Sequence, residues 1–239
     1  MLRDHFHPPL SLTRPWSSVH ASWAANLASA INDRLPDGWF AGPQVKWAIE
    51  VDVATYDERG GNPTFDGGSA TATLPSPTET LAFEMRHDTV RVNVYQERGE
   101  LRLAAAIELV SPGNRDRRAA RDSFVAKCDA ILRDGCGLII VDIVIDRTAD
   151  LHAELLGRVD PDRLNASSES TNSHGPYHVA YRPFRVGGET RLSYWHRQQP
   201  IGQPMDDNLL FLKDGPVIEA PLAASYAETL RRLKITDPT

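Results

Sequence analysis

A strand, a helix and a second, wholly apolar strand follow one another between residues 101 and 145, and this segment constrains the fold most. Residues 101–110 alternate as a strand does, and residues 116–133 carry apolar side chains at helical spacing. Residues 137–145, GLIIVDIVI, form a β-branched apolar run that is typical of a central strand buried on both faces. A crossover helix leading into such a strand predicts a mixed sheet with helices packed on it.

The residues before this segment predict a helix and further strands. Apolar residues at helical spacing predict a helix from Ser17 or Ser18 to about Leu35. An alternating run predicts a strand over Val45–Tyr56, and a Gly/Pro/Ser-rich loop follows over residues 57–80. Residues 89–96 and 101–110 flank a tight turn and read as a hairpin. The predicted core is therefore αβββαβ, of the α/β class.

The residues after the apolar strand predict an extension of this core. Residues 151–156 suit a short helix, and residues 160–175 suit a loop. Tyr177–Arg185 and Thr190–His196 suit a hairpin around Gly187-Gly188, and Pro221–Leu233 suits a closing helix. We expect one domain over residues 1–239, with a core at about 16–146 and an extension at about 147–239.

Composition excludes several classes of protein. The chain has 239 residues, of which 41% are hydrophobic and 24% charged, and its net charge of -6 shows no strongly basic face. No apolar run approaches the roughly 18 residues that a membrane-spanning helix needs. The first residues lack the apolar region of a secretory signal. With two cysteines, Cys128 and Cys136, a cytoplasmic location is expected.

Carboxylates interrupt two of the predicted strands. Glu108 lies inside the apolar run AAAIELV, and Glu50 and Asp52 share one face of the first predicted strand. Burying an unpaired carboxylate costs several kcal/mol, so a cation or metal should accompany it. Carboxylates on neighbouring strands suit a hard divalent ion such as Mg²⁺. The alternative is that these acids lie on a solvated strand face.

Lys127 lies at the flank of the apolar stripe of the predicted helix, and not on its polar side. From there its amine could extend over the sheet toward Glu108. It would then orient a water molecule or stabilise the charge that develops on a phosphate. The alternative is a lysine whose stem packs on the helix while its amine stays in water.

The segment AIELVSPGNRDRRAARDSFVAKCDAILRDGCGLIIVDIV resembles the bacterial domain-of-unknown-function family 4058. The family shows an Ile-Glu-x-x-Ser-Pro-x-Asn-Lys stretch, then Arg-x-x-Tyr-x-x-Lys, then a strand with Ile-Asp. Two departures are Arg115 in place of the usual lysine and Phe124 in place of tyrosine. The matching residues are Ile107, Glu108, Ser111, Pro112, Asn114, Arg121, Lys127 and Asp142.

The same segment is similar to the Uma-like endonucleases of the PD-(D/E)xK superfamily, which have a restriction-endonuclease-like core. This resemblance implies Asp52 and Glu108 as ligands of Mg²⁺ or Mn²⁺ and Lys127 as the catalytic lysine. The usual lysine position, two residues after the glutamate, is Val110 here. Residues expected to support the site are Glu50, Ser111, Asn114, Arg121 and Asp142. Residues expected to contact a nucleic-acid backbone are Arg115, Arg117 and Arg118.

Three functions are compatible with these residues. The first is a metal-dependent endonuclease that hydrolyses phosphodiester bonds in DNA or another nucleic acid. The second is a degenerate protein of the same fold that acts as a binding or interaction module, which the acidic net charge and Val110 favour. The third is a hydrolase of another phosphate ester. A dimer is possible, and no contact with a membrane is expected.

Overall fold

A mixed six-stranded sheet forms the centre of an α/β fold in the computed structural model, which describes residues 1–46, 89–98, 100–145, 149–162 and 175–236. The strands of this sheet are β1 (Trp39–Lys46), β2 (Thr89–Arg98), β3 (Glu100–Leu109), β4 (Gly137–Asp142), β5 (Tyr177–Val186) and β6 (Glu189–Gln198). A small second sheet contains β7 (Asn208–Phe211) and β8 (Val217–Ala220). The helices are α1 (Leu10–Thr13), α2 (Trp16–Asn32), α3 (Pro112–Asp116), α4 (Arg118–Arg133), α5 (Leu151–Val159) and α6 (Leu222–Arg232).

The strands of the large sheet lie side by side in chain order. β3 and β4 are parallel, and the other neighbouring pairs are antiparallel. Helix α4 provides the crossover that a parallel pair requires. The predicted αβββαβ order is confirmed as α2, β1, β2, β3, α4 and β4. The predicted C-terminal hairpin, β5 and β6, continues the same sheet, and the predicted last helix is α6.

The sheet separates two apolar cores. Ile107 and Leu109 of β3 belong to the core that also contains buried residues of α2 and α6. Val110, directly after β3, belongs to the opposite core, which contains buried residues of α4 and α5. Alternation along β3 therefore assigns the neighbouring residues to different faces, as predicted. The buried strand β4 contributes to both cores, which explains its continuous apolar sequence.

Two predicted boundaries near the N-terminus were wrong. Strand β1 begins at Trp39, six positions before the predicted start, and includes Gly42 and Pro43. Pro43 is tolerated because β1 pairs on one side only, with β2, among the described strands. Helix α2 begins at Trp16 after Pro15, and not at a serine cap. The rest of the predicted first strand and the predicted loop lie in residues 47–88, outside the described residues.

The first residues dock onto the C-terminal part of the chain. Leu2 is fully buried, and its backbone N–H donates to the carbonyl of Gln203 over 2.7 Å. His5 is also buried, and its Nε2 lies 2.7 Å from the hydroxyl of Tyr226 on α6. No pattern in the sequence predicted this docking. None of the helices in the described ranges is long and apolar enough to cross a membrane.

Two glycines fix the connection from α4 to β4. Gly135 adopts φ +83°, a left-handed conformation that suits glycine after a helix end. Its N–H donates to Leu132, and the N–H of Cys136 donates to Ile131, so both helix-end carbonyls have partners. At Gly137, an added Cβ would lie 1.9 Å from the carbonyl oxygen of Phe211. The start of β4 therefore requires the absence of a side chain.

Candidate functional site

Glu108 is a buried carboxylate near the C-terminal end of β3, and only 1% of its surface is exposed. It lies opposite Arg91 on β2 and Ile140 on β4. Its neighbours by alternation, Ala106 and Val110, contact the core under α4. The strand pairing therefore directs the carboxylate to the sheet face that α4 covers.

Lys127 extends from α4 to this carboxylate. Its Nζ donates to Glu108 Oε2 over 2.7 Å and lies 4.9 Å from the ring centre of Phe124. About a quarter of the lysine side chain is exposed, so the amine lies at the margin of the core. The thiol of Cys128 lies next to the pair. Burial raises the pKa of Cys128 well above its ordinary value, and the charge of Glu108 acts in the same direction. This thiol is therefore protonated and a poor nucleophile.

A row of polar side chains crosses the first three strands beside Glu108. Arg91 NH1 lies 3.7 Å from Glu108 Oε1, and Arg91 Nε donates to Gln44 Oε1 over 2.6 Å. The side-chain amide of Asn93 donates to the same Gln44 oxygen over 3.1 Å. The sequence interpretation missed this row. Its signal was present in β2, where Arg91 and Asn93 alternate with three valines and therefore share the face of the strand opposite to them.

The two carboxylate oxygens of Glu108 have different surroundings. Oε1 is buried and makes no hydrogen bond within the described segments, although Arg91 lies near it. A carboxylate oxygen of this kind suits Mg²⁺ or Mn²⁺, which prefer oxygen ligands. No group of three metal-binding side chains occurs among the described residues. Asp52 and Glu50, the other predicted acids, lie outside the described residues. Of the two predicted metal ligands, Glu108 is therefore the one that the described residues contain.

Asp142 and Arg115 form a separate buried ion pair at the end of β4. The Arg115 NH1 and Asp142 Oδ1 atoms are 3.1 Å apart, and both side chains are nearly inaccessible. The same guanidinium donates to the carbonyl of Val144. Burial raises the pKa of Asp142 to about 6, while Arg115, the Val144 N–H and the Tyr177 hydroxyl counteract the rise. This pair attaches α3 to the end of the central strand.

The burial of Arg115 corrects one prediction. The sequence placed Arg115 with Arg117 and Arg118 in a surface group that would contact nucleic acid. Only 6% of the Arg115 side chain is exposed, so it cannot contact a phosphate backbone in this conformation. The helical pattern did not reveal this, because the partner acid is 27 residues away in sequence.

The other predicted arginines lie at the start of α4 or directly before it, and each is at least partly exposed. Arg118 is 87% exposed and has Asp122 within 3.7 Å. Arg117 is about half exposed and lies 3.9 Å from Asp116. Arg121 Nε donates to Glu154 on α5 over 2.8 Å. Arg118 and Arg121 line an open groove of about 420 Å³ between α4 and α5. Each of these three arginines has an acidic side chain nearby, and each is still partly exposed to solvent.

Ser111 and Asn114 have a local structural role. The Ser111 N–H donates to Asn114 Oδ1 over 2.9 Å, and the Ser111 hydroxyl donates to the same oxygen over 3.0 Å. These contacts form a capping box that closes the turn between β3 and α3. The turn determines where the helical connection from β3 to β4 begins. Its effect on Lys127 is therefore indirect, through the position of α4.

The structure thus brings together Glu108 and Lys127 of the predicted trio and adds Arg91 to them. It places Asp142 and Arg115 in a second pair that the sequence did not predict as a pair. A comparison of the chain with models of known protein families finds no match, and comparisons with curated proteins and with solved structures find none either.

Proposed function

We propose that this protein is a metal-dependent, nuclease-like hydrolase of phosphodiester bonds, centred on Glu108 and Lys127. The observation that carries the proposal is the buried Glu108 carboxylate, which has Lys127 Nζ 2.7 Å from one oxygen while its other oxygen makes no hydrogen bond in the described ranges. A carboxylate with one oxygen hydrogen-bonded to a lysine and the other without a hydrogen bond suits a metal ligand. Asp52 is the second ligand that we infer from the sequence.

The residues of the chain would divide the work as follows. Glu108, together with Asp52, would hold Mg²⁺ or Mn²⁺, which supplies Lewis-acid activation of the phosphate and of a water molecule. Lys127 would orient the Glu108 carboxylate and stabilise negative charge at the phosphate. The exposed Arg117 and Arg118 would contact the backbone of DNA or another nucleic acid. Since Cys128 and Cys136 are both free thiols, we infer a cytoplasmic location.

A plasmid-nicking assay with Mg²⁺ or Mn²⁺ tests this proposal. We expect wild-type protein to relax supercoiled DNA only with the cation, and Glu108→Gln and Lys127→Met to lose about 100-fold or more of the rate. Lys213→Met is the matched control, because Lys213 forms a comparable pair with Asp134, 3.1 Å away at the surface. Thermal melting of each variant separates lost activity from lost folding. Equal nicking by all variants would exclude Glu108 and Lys127 as the site.

A binding module without catalysis is the second candidate, and Arg91 favours it. Two cationic side chains, Arg91 and Lys127, lie within 4 Å of the one carboxylate, so its charge is balanced without a metal ion. In that case wild-type protein would neither nick DNA nor bind Mn²⁺ in a calorimetric titration. Mn²⁺ binding that Glu108→Gln abolishes would instead support the hydrolase.

A further inference from the structure

Strand β6 is a long edge of the large sheet. It has ten residues and pairs with β5 alone within the described part of the chain. Most of its side chains are exposed or half-buried on both faces, and Tyr194 and Trp195 are 37% and 38% exposed. The outer backbone groups of such a strand can pair with another strand. At the opposite edge, β1 contains Pro43, whose missing N–H weakens pairing.

Symmetry limits how β6 could pair with itself. Two copies related by a twofold axis perpendicular to the sheet would pair antiparallel, and opposed side chains must lie on the same face. Side chains alternate along a strand, so the axis must pass through a residue and not between two residues. The registers centred on Leu192, Ser193 and Tyr194 lie near the middle of the ten-residue strand and overlap the two copies over most of its length.

Charge distinguishes these registers. Centred on Ser193, the strands place Glu189 opposite Arg197 of the second copy, twice over because of the symmetry. Centred on Tyr194, they place Arg191 opposite Arg197, which is repulsive. Centred on Leu192, they place Glu189 opposite Trp195 and leave its charge unmatched. Only the register centred on Ser193 pairs opposite charges at both ends.

The apolar side chains agree with the same register. On the face of α5, Leu192 would lie opposite Tyr194 of the other copy. On the other face, Arg191 would lie opposite Trp195, whose ring stacks on Phe211 at 4.8 Å and is thereby held in place. An arginine over a fixed indole ring is a favourable cation–π arrangement. Each cross-strand pair along the edge is thus attractive or neutral.

We propose that two copies of this protein pair edge to edge through β6, centred on Ser193, and form one continuous sheet of twelve strands, six from each copy. Within one copy, Glu189 contacts Arg191 at 3.0 Å and Arg197 lies 3.9 Å from Asp206. These intramolecular pairs are largely exposed and contribute little, so they can exchange for the intermolecular ones. Pairing along one strand edge buries less surface than the roughly 1,200 Å² at the lower end of standard interfaces. We therefore expect the dimer to dissociate on dilution.

Charge reversal tests the register. In sedimentation-velocity experiments over a concentration series, Glu189→Arg and Arg197→Glu should each raise the dimer dissociation constant by about tenfold or more, since each makes two repulsive contacts. The double variant Glu189→Arg/Arg197→Glu should restore dimerisation. Reversal of a remote charge, Glu228→Arg on α6, should leave the constant unchanged. A monomer at all concentrations, or a dimer indifferent to these reversals, overturns the proposal.

A cysteine cross-link tests the centre of the interface. Ser193→Cys would face its own copy across the axis at a separation that a disulfide can bridge. The native thiols of Cys128 and Cys136 are buried and do not compete. We expect oxidation to produce covalent dimers with Ser193→Cys, and none with Thr190→Cys, which would face His196. Cross-linking by both variants alike, or by Thr190→Cys alone, contradicts the register.

Discussion

At the scale of single residues, two buried carboxylates each have a cationic side chain beside them: Glu108 has Lys127, and Asp142 has Arg115. The structure places Glu108, which interrupts an apolar strand, in contact with Lys127, which flanks the apolar stripe of its helix. Arg115 and Arg118 look alike in sequence, yet one is buried against Asp142 and the other is 87% exposed. The difference depends on a partner 27 residues from Arg115, which no local pattern encodes.

Removing each of these arginines should therefore have very different effects. Arg115→Met leaves Asp142 buried without its arginine partner, so we expect a loss of about 3–5 kcal/mol in the free energy of unfolding at pH 7. Arg118→Met should change it by less than about 0.5 kcal/mol. Urea denaturation measures both values. Equal effects of the two substitutions would show that the Arg115–Asp142 pair does not stabilise the fold.

Whole elements were predictable where their periodicity was strong. Strand β4 and helix α4 have clear patterns, and the β2–β3 and β5–β6 hairpins have recognisable turns. Strand β1 was placed too late because Gly42 and Pro43 conceal its start, although an edge strand tolerates both. Strands β7 and β8 were missed since four residues are too few to show alternation. Residues 47–56, the rest of the predicted first strand, lie outside the described residues.

The approach of β4 to the end of β7 gives a test at the same scale. Gly137→Ala would force its new methyl group against the Phe211 carbonyl, so we expect a loss of about 3 kcal/mol or more in the free energy of unfolding. Gly135→Ala, at φ +83°, should cost about 1–2 kcal/mol. Gly42→Ala is the control, because a methyl group there meets no atom of the described residues within 4 Å. Chemical denaturation ranks the three, and a harmless Gly137→Ala would contradict the close approach.

The sequence predicted the arrangement of helices on a mixed sheet, but it did not predict the side-chain contacts between residues far apart in the chain. A crossover helix between two strands implies a mixed sheet with helices packed on it. The docking of His5 on Tyr226 joins residues 221 positions apart, and His178 accepts a hydrogen bond from Asn208 over 2.9 Å. Such contacts depend on how completed elements meet, and composition or periodicity does not encode them.

These two histidines make the stability of the whole molecule depend on pH. Burial lowers the pKa of His5 and of His178 to about 4, below the roughly 6.5 of an unfolded chain. The unfolded state therefore binds more protons between these values, and stability should fall as the pH falls from about 6.5 to about 4. Asp142, whose pKa is raised to about 6, acts in the opposite direction. Its contribution to the free energy of unfolding is fully present below about pH 4 and is lost as the pH rises through about 6.

Urea denaturation between pH 4 and pH 7 measures this dependence. His5→Gln and His178→Gln should each flatten the decline, by at most about 3 kcal/mol at the acid end. His7→Gln is the matched control at the surface. The His7 ring is more than half exposed and its pair with Asp4, 2.9 Å away, is screened by solvent, so this substitution should change the profile much less than either buried histidine does. An identical decline in all three variants would show that other groups cause the acid sensitivity.

The position of Glu108 within the sheet also affects the entropy of binding at this site. β3 has a hydrogen-bonded neighbour on each side, so folding itself immobilises the backbone that carries the carboxylate. Fixing the backbone of one residue costs about 1–2 kcal/mol of conformational entropy. At Glu108 this entropy is lost on folding, and therefore not on ligand binding. The long side chain of Lys127 remains the adjustable member of the pair. Whatever associates with this carboxylate therefore meets a preorganised acid and a compliant amine.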